Sequence, residues 1–133
     1  MARYVIDAPT LLHLVVDALA VDPAHRLVAP NAIRSEAMQL LLADAQQGSR
    51  TDREAMLLHD RMTELKIRLL GDRVSRATAW RLARQLNWPT LRDAEYLAVT
   101  RLQADALITI DPHLAARAKD IVPVEPLTAL VIA

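Results

Sequence analysis

The sequence predicts an α/β fold with a central, mainly parallel sheet, because short apolar runs alternate with longer segments of helical periodicity. The chain has 133 residues, a length that fits one domain with a sizeable core. Neither a repeat nor a low-complexity linker divides it. We therefore predict a single domain over residues 1–133.

The first half of the chain predicts two strands and three helices. Pro30 ends an apolar run, Gly48 follows a long helical pattern, and Thr51 and Glu54 have the spacing of a capping box. The predicted strands are 4–6 and 26–30, and the predicted helices are 10–20, 31–46 and 51–62.

The second half predicts three strands and three helices. Trp88 and Pro89 interrupt a helical pattern, Thr90 is a good N-cap for the helix that follows, and Pro112 suits the first position of a short helix. The predicted strands are 66–70, 106–110 and 121–124, and the predicted helices are 74–87, 91–103 and 112–118.

Composition excludes several classes of function. The chain has no cysteine, which excludes disulfides, thiolate catalysis and Cys-based zinc sites and is compatible with a reducing cytoplasm. Its two glycines, Gly48 and Gly71, provide neither a Walker loop nor a dinucleotide-binding fingerprint. Sixteen basic and sixteen acidic residues give no net charge that would attract a polyanion. Because no apolar run approaches the ~20 residues of a membrane span, we expect a cytoplasmic protein with no membrane segment.

Four acids lie at the edges of apolar runs: Asp7, Glu36, Asp93 and Asp111. Asp7 and Asp111 follow predicted strands, at the sheet edge where open parallel sheets bind ligands. Helical spacing places Glu36 on or beside an apolar stripe, and Asp93 lies in the first turn of its helix. These positions predict that the four carboxylates form one pocket.

Each acid also has an ordinary structural explanation. Asp7 and Asp111 could serve only as helix caps, and Asp93 could be the third helical residue of a Thr-x-x-Asp box. Glu36 could be a rim residue of an amphipathic helix. Taken singly, caps are far commoner than metal ligands, so the prediction depends on the four acids occurring together.

Electrostatics indicates what such a pocket would bind. Two carboxylates about 4 Å apart repel by roughly 4 kcal/mol at an effective dielectric constant near 20, so several cannot stay ionised together unaided. Either a cation or protons must compensate them. A site of oxygen ligands without a histidine cluster suits Mg²⁺ or Mn²⁺, and such an ion can activate water for hydrolysis of a phosphodiester.

Four parts of the chain carry the acids in a distinctive order: Val-Ile-Asp-Ala at 5–8, Glu36 within a helix, and two more specific segments. These segments are Trp-Pro-Thr-Leu-Arg-Asp-Ala-Glu-Tyr-Leu-Ala at 88–98 and Ala-Leu-Ile-Thr-Ile-Asp-Pro-His-Leu-Ala at 106–115. In order, spacing and length, the chain resembles PIN-domain ribonucleases over nearly its whole length. Among small single-domain members, the chain is most similar to the VapC-type toxins of toxin–antitoxin systems.

This resemblance implies a three-layer α/β/α PIN-like domain and a Mg²⁺- or Mn²⁺-dependent endoribonuclease. By position, Asp7, Glu36, Asp93 and Asp111 would be the catalytic, metal-binding quartet, and Thr109 would support it. The chain departs from the family pattern at Pro9, where many members have a small hydroxyl residue. Thr10 could take over that supporting role.

The resemblance also implies partners: an RNA substrate, a small cognate antitoxin and a second copy of the chain in a homodimer. An alternative is a PIN-like scaffold that no longer cuts and acts as an RNA- or protein-binding module.

Other polar and aromatic residues favour ordinary explanations. The four histidines form no His-Glu-x-x-His pattern, and we expect them at the surface or at helix ends. An arginine-rich helix could meet phosphates, but we expect it to be a solvated face. Trp80 and Trp88 could stack on bases, although we expect both to pack against the core.

Overall fold

Five short strands build the central sheet, and the buried residues of β1, β2 and β4 are apolar on both of its faces. The computed structural model describes residues 1–132, and their fold is a three-layer α/β/α arrangement, as predicted. The strands are β1 Arg3–Ile6, β2 Arg26–Pro30, β3 Ile67–Leu70, β4 Ala106–Ile108 and β5 Val124–Glu125. The helices are α1 Ala8–Val16, α2 Ile33–Gln47, α3 Asp52–Glu64, α4 Arg73–Leu86, α5 Arg92–Gln103 and α6 Pro112–Ala118, and a 3₁₀ turn spans Leu127–Ala129.

The five strands are parallel and follow the order β3-β2-β1-β4-β5. Val5 in the central strand pairs with Val28 on one side and Leu107 on the other. The chain builds outward from β1 through β2 to β3 and then returns to β4 on the opposite side of β1. The carboxyl ends of β1 and β4 therefore form a topological switch point, where open α/β sheets bind ligands.

Two apolar clusters fill the spaces between the sheet and its helices. One contains Ile6 and Ile108 with buried residues of α1, α2 and α3. The other contains Val5 and Leu107 with buried residues of α4, α5 and α6. Neighbouring strand residues thus point to opposite layers, as the two-residue period of a strand requires. No helix within residues 1–132 combines the length and hydropathy needed to cross a membrane.

The start of α1 lies two residues before its predicted position, and the helix ends earlier than predicted. Asp7 caps the helix by accepting a hydrogen bond from the Thr10 amide at 3.3 Å, and Pro9 fits the first turn. Ala18 has a left-handed backbone with φ of 51°, which ends the helix before residue 20. The predicted range 10–20 was therefore wrong at both ends.

The start of α5 also differs from the prediction. The helix is capped at Leu91, whose carbonyl accepts the first intrahelical bond from the Glu95 amide at 2.8 Å, and no side chain caps it. Thr90 is thus not the N-cap. The predicted last strand was wrong as well: the amides of Ile121 and Val122 donate to Ala118 at the end of α6, so the pairing strand begins at Val124.

Candidate functional site

The four predicted acids all belong to segments at the carboxyl edge of the sheet. Asp7 directly follows β1, and Asp111 follows the neighbouring strand β4. Glu36 lies in the first turn of α2, shortly after β2. Asp93 lies in the first turn of α5, whose other end leads into the amino end of β4, so its first turn is at the carboxyl edge. The fold therefore gathers these segments around the switch point.

Asp7 is the most enclosed of the four side chains, with 1% of its surface exposed. One carboxylate oxygen accepts the amide and hydroxyl of Thr10, and the other accepts the hydroxyl of Thr109 at 2.7 Å. Burial raises the pKa of Asp7, the hydrogen bonds from the two threonines partly oppose this rise, and the nearby charge of Asp111 adds to it. Because the pKa of Asp7 is raised overall, the groups around it only partly stabilise its ionised form.

The two threonine hydroxyls join the ends of β1 and β4. Thr10 accepts the amide of Ile110 at 3.0 Å, and Thr109 accepts the amide of Asp111 at 3.0 Å. Each hydroxyl therefore donates to Asp7 and accepts from the segment after β4. This arrangement fixes the Asp7 carboxylate relative to the chain that carries Asp111.

Glu36 is held by two residues of α5. Its Oε2 accepts the hydroxyl of Tyr96 at 2.9 Å and the Nε of Arg92 at 3.2 Å. Burial and the adjacent Glu36 carboxylate raise the pKa of the Tyr96 hydroxyl, so Tyr96 is a neutral donor at physiological pH. The charge of Asp7 contributes to the same rise, so both carboxylates lie near the Tyr96 hydroxyl.

Asp93 of α5 forms an ion pair with a residue of α6. Its Oδ2 accepts Nη1 of Arg117 in α6 at 2.9 Å, and 11% of the Asp93 side chain is exposed. The Arg117 guanidinium lies 4.7 Å from the centroid of the Trp88 ring, a distance that permits a cation–π contact. Arg117 therefore links Trp88 to Asp93, through a cation–π contact on one side and an ion pair on the other.

Asp111 caps α6, since its Oδ1 accepts the amide of His113 at 2.9 Å. The ordinary explanations for Asp7 and Asp111 are thus both present in the structure. Capping occupies only part of a carboxylate, because each ionised group offers about four lone-pair directions. The second oxygen of Asp111 has no protein partner among the contacts of residues 1–132.

The carboxylate oxygens of the four acids are the kind of ligand that a hard cation prefers. The structure brings only some of these carboxylates close together. All four side chains offer oxygen, and the buried Asp7 beside Asp111 has the uncompensated charge that a divalent cation would relieve. Within the described residues 1–132, no three Asp, Glu or His side chains lie close enough together to hold an ion. Glu36 and Asp93 are instead bound by Arg92 and Arg117, and they would have to exchange those contacts to reach a shared ion.

The sequence patterns did not indicate Arg92, Tyr96 and Arg117 as parts of the site. The helical spacing of Tyr96 predicts a core residue, and its side chain is 1% exposed. Its hydroxyl nevertheless donates to Glu36. Arg92 directly precedes Asp93, a neighbouring opposite charge that could have suggested its role. Arg117 lies on another helix, and no spacing in the sequence relates it to Asp93.

The expectations for the aromatic and basic residues had mixed outcomes. Trp80 is 60% exposed, so the prediction that it packs in the core was wrong. Trp88 is half-buried against the second apolar cluster, as predicted. The arginines of α4 are exposed, as predicted for a solvated face, and His113 is exposed at the start of α6.

Comparisons with known proteins support the fold alone. No protein-family model matches the chain, and no curated protein matches it. The structure is similar to the crystal structure of PAE2754 from Pyrobaculum aerophilum, with a TM-score of 0.73 and 24% sequence identity over 96% of this chain and 90% of that chain. The three-layer α/β/α architecture is therefore shared with a solved protein over nearly the whole length of both chains.

Proposed function

We propose that this protein is a divalent-cation-dependent endoribonuclease that hydrolyses RNA phosphodiesters. The observation that carries the proposal is the buried, undercompensated Asp7 beside Asp111 at the switch point of the sheet. The resemblance of 88–98 and 106–115 to PIN-domain ribonucleases supports the choice of RNA as substrate.

The chain's own residues have distinct roles in this proposal. Asp7 and Asp111 would hold Mg²⁺ or Mn²⁺, and Glu36 and Asp93 would complete the set. When bound, the ion supplies Lewis acidity toward water and phosphate oxygens. Thr10 and Thr109 fix the orientation of Asp7.

Arg92 and Arg117 would contact the substrate in this proposal. If Glu36 and Asp93 turned to such an ion, Arg92 and Arg117 would lose their carboxylate partners and could donate to a phosphate. Each of these two arginines would then have an anionic partner before and after RNA binds. Such an exchange would also explain why two carboxylates of a metal site would be held by arginines beforehand.

We further propose that the protein acts in the cytoplasm as the toxin of a toxin–antitoxin pair. Its partners would be a small antitoxin that silences it and a second copy in a homodimer, as the resemblance to VapC-type toxins implies. A short open reading frame beside this gene is the first place to look for the antitoxin. Coexpression of the two proteins should give a complex without RNA cleavage.

Cleavage of RNA by the purified protein tests the nuclease. Structured and unstructured RNAs with Mn²⁺ or Mg²⁺ should be cut, and EDTA should stop the reaction. Asp7→Asn and Asp93→Asn should each lower the rate by at least about 100-fold, since each removes a charge that acts on the reacting centre. Asp120→Asn, an exposed acid outside the site, is the matched control and should cut at the original rate.

A second candidate function is supported by the two ion pairs. If Glu36–Arg92 and Asp93–Arg117 are permanent, the chain is a binding module on the same scaffold rather than an enzyme. Binding of RNA or a protein that is equal in Mn²⁺ and in EDTA, with no cleavage at any protein concentration, would establish this function and contradict the nuclease.

A further inference from the structure

A cleft of about 620 Å³ opens at the amino edge of the sheet, away from the four acids. We name it the amino-edge cleft; its lining includes Arg3, Arg26, Lys66 and Arg68 over an apolar floor with Val28 and Leu70. Strands of this length, at roughly 3.3 Å per residue, put the two edges of the sheet on the order of 15 Å apart. The cleft is therefore separate from the candidate nuclease site.

Strand register brings the four cations of the cleft to one face of the sheet. Arg3 is the register partner of Arg26, and Val28, two residues after Arg26, pairs with Arg68. Lys66 immediately precedes Ile67, which pairs with Leu27, so it lies beside Arg26. Partners in a parallel pair and residues two apart share a face. Three adjacent strands thus present like charges to the same space.

Among the described residues, none of these side chains forms an ion pair, although the Asp105 carboxylate accepts the backbone amide of Arg3 at 2.7 Å and Arg26 Nη1 donates to the Pro23 carbonyl at 3.1 Å. Across residues 1–132, no carboxylate lies within 4.0 Å of a side-chain nitrogen of Arg3, Arg26, Lys66 or Arg68. Like charges directly opposite on neighbouring strands destabilise a sheet. Asp22 is the one acid that lines the cleft, and its carboxylate accepts the Ala24 amide at 2.9 Å. A bound anion would remove this repulsion.

The shape and lining of the cleft indicate more than a simple anion. Its volume lies in the range of pockets that hold small organic ligands, about 300–1,000 Å³. The side chains of Val28 and Leu70 offer an apolar surface for a flat, weakly polar group, and the guanidinium groups of the arginines suit phosphate oxygens. His25 accepts the Ala2 amide on Nδ1 at 3.2 Å, so its neutral ring has a donor left on Nε2.

We propose that the amino-edge cleft binds a phosphorylated nucleotide, with the base on the apolar floor and the phosphates on Arg3, Arg26 and Arg68. The nucleotide can be free or can be the 5′-phosphorylated end of an RNA chain, since both present the same groups. This proposal does not depend on the nuclease activity, because it uses none of the four acids.

Calorimetric titration in EDTA tests the proposal. The probes are the four common ribonucleoside 5′-triphosphates, their unphosphorylated nucleosides and short 5′-phosphorylated oligoribonucleotides. We expect phosphorylated probes to bind and nucleosides not to bind. Binding of a mononucleotide identifies a free nucleotide as the ligand, whereas binding of oligomers alone identifies an RNA end.

Three variants connect binding to the cleft. Arg26→Gln and Arg68→Gln should each weaken binding about tenfold or more, because each removes a charge-assisted hydrogen bond to phosphate. Arg53→Gln removes an exposed arginine of α3 and should leave affinity unchanged. Melting curves of all three will show that they are folded, and the cleft variants should be at least as stable as the original chain.

Two results would overturn the proposal. One is that no phosphorylated probe binds at millimolar concentration, and the other is that Arg26→Gln and Arg68→Gln bind as tightly as Arg53→Gln. Asp7→Asn separates this proposal from the nuclease: it should bind nucleotides normally although it cannot cleave RNA.

Discussion

At the scale of single residues, the buried carboxylate of Asp7 has the most direct consequence for stability. Folding moves it out of water, and three hydrogen bonds from Thr10 and Thr109 recover only part of the cost. A carboxyl whose pKa is raised by folding stabilises the native state below its unfolded pKa, here 3.8, and loses that contribution as the pH rises through the folded pKa. Asp7 thus opposes folding at neutral pH.

Asp7→Asn should therefore raise the free energy of unfolding at pH 7 in metal-free buffer. Asparagine keeps the helix cap and carries no charge to desolvate. The gain should shrink as the pH falls through the raised pKa of Asp7, because Asp7 itself then becomes protonated in the folded protein. Urea denaturation of both proteins across this pH range measures the difference. A variant that is less stable than the original by the same amount at every pH would contradict the prediction.

Arg117 has the opposite role, since it compensates a buried acid. Arg117→Gln should lower the free energy of unfolding by about 1–3 kcal/mol, because it leaves Asp93 without its cation in a mostly buried position. In an Asp93→Asn background the same change should cost clearly less. A double-mutant cycle measures this coupling, and equal costs in the two backgrounds would show that the ion pair contributes nothing.

At the scale of elements, hydrogen bonds from the hydroxyls of Thr10 and Thr109 connect the end of β1 to the chain after β4. The strands themselves are short, with three register pairs between them. Side-chain bonds extend the connection beyond the end of the ladder, to Ile110 and Asp111. The geometry of the candidate site therefore depends on these side-chain hydrogen bonds as well as on the sheet.

Thr109→Val should cost about 1–3 kcal/mol, since it leaves the Asp111 amide and one Asp7 oxygen without a partner. It should also raise the pKa of Asp7 further, because the lost hydrogen bond favours the charged form. Thr100→Val is the control: its hydroxyl bonds only to Tyr96 O within its own helix, at 2.7 Å. The control should show no change in the pH dependence of denaturation.

Most elements could be predicted from local pattern, and the errors have local causes. The strand β1 and the helix α6 follow from an apolar run and from Asp-Pro at a helix start. The end of α1 depends on the left-handed backbone of Ala18, a conformation that favours glycine and that alanine rarely adopts. The strand β4 stops pairing at Ile108, opposite the last residue of β1, Ile6, and no local pattern around residues 106–110 contains that distant partner.

The candidate site shows the same limit. Strand ends and helix phase are properties of the sequence, so the positions of Asp7 and Asp111 could be predicted. The arginines that hold Glu36 and Asp93 were not predicted, because Arg92–Glu36 and Arg117–Asp93 join different helices. Such pairs depend on how helices pack over a sheet, and a single sequence without coordinates does not specify that packing.

At the scale of the whole molecule, a net charge of zero conceals an uneven distribution. The candidate acids lie at the carboxyl edge of the sheet, and the cations of the amino-edge cleft lie at the opposite edge. The ligands that we propose for these two regions are accordingly of opposite sign. A bound ion at one edge stabilises the entire domain, because the domain unfolds with the site.

Mn²⁺ should consequently raise the melting temperature of the protein. At 100 times the dissociation constant, the stabilisation is about 2.7 kcal/mol, which corresponds to about 10 °C for a chain of this length. Asp7→Asn should lose most of this rise, and Asp120→Asn should keep it. Differential scanning fluorimetry measures all three, and equal rises in the three proteins would show that Mn²⁺ binds elsewhere.

The stack of Arg117 on Trp88 gives the protein an intrinsic optical signal. Trp88 lies 4.7 Å from the guanidinium that binds Asp93, whereas Trp80, the other indole in the chain, is largely in solvent. Replacing Trp80 by phenylalanine leaves Trp88 as the one tryptophan, which can be excited apart from the two tyrosines. A movement of Arg117 away from Trp88 should change this fluorescence, so the proposed exchange of partners at Asp93 can be tested in real time without any attached dye.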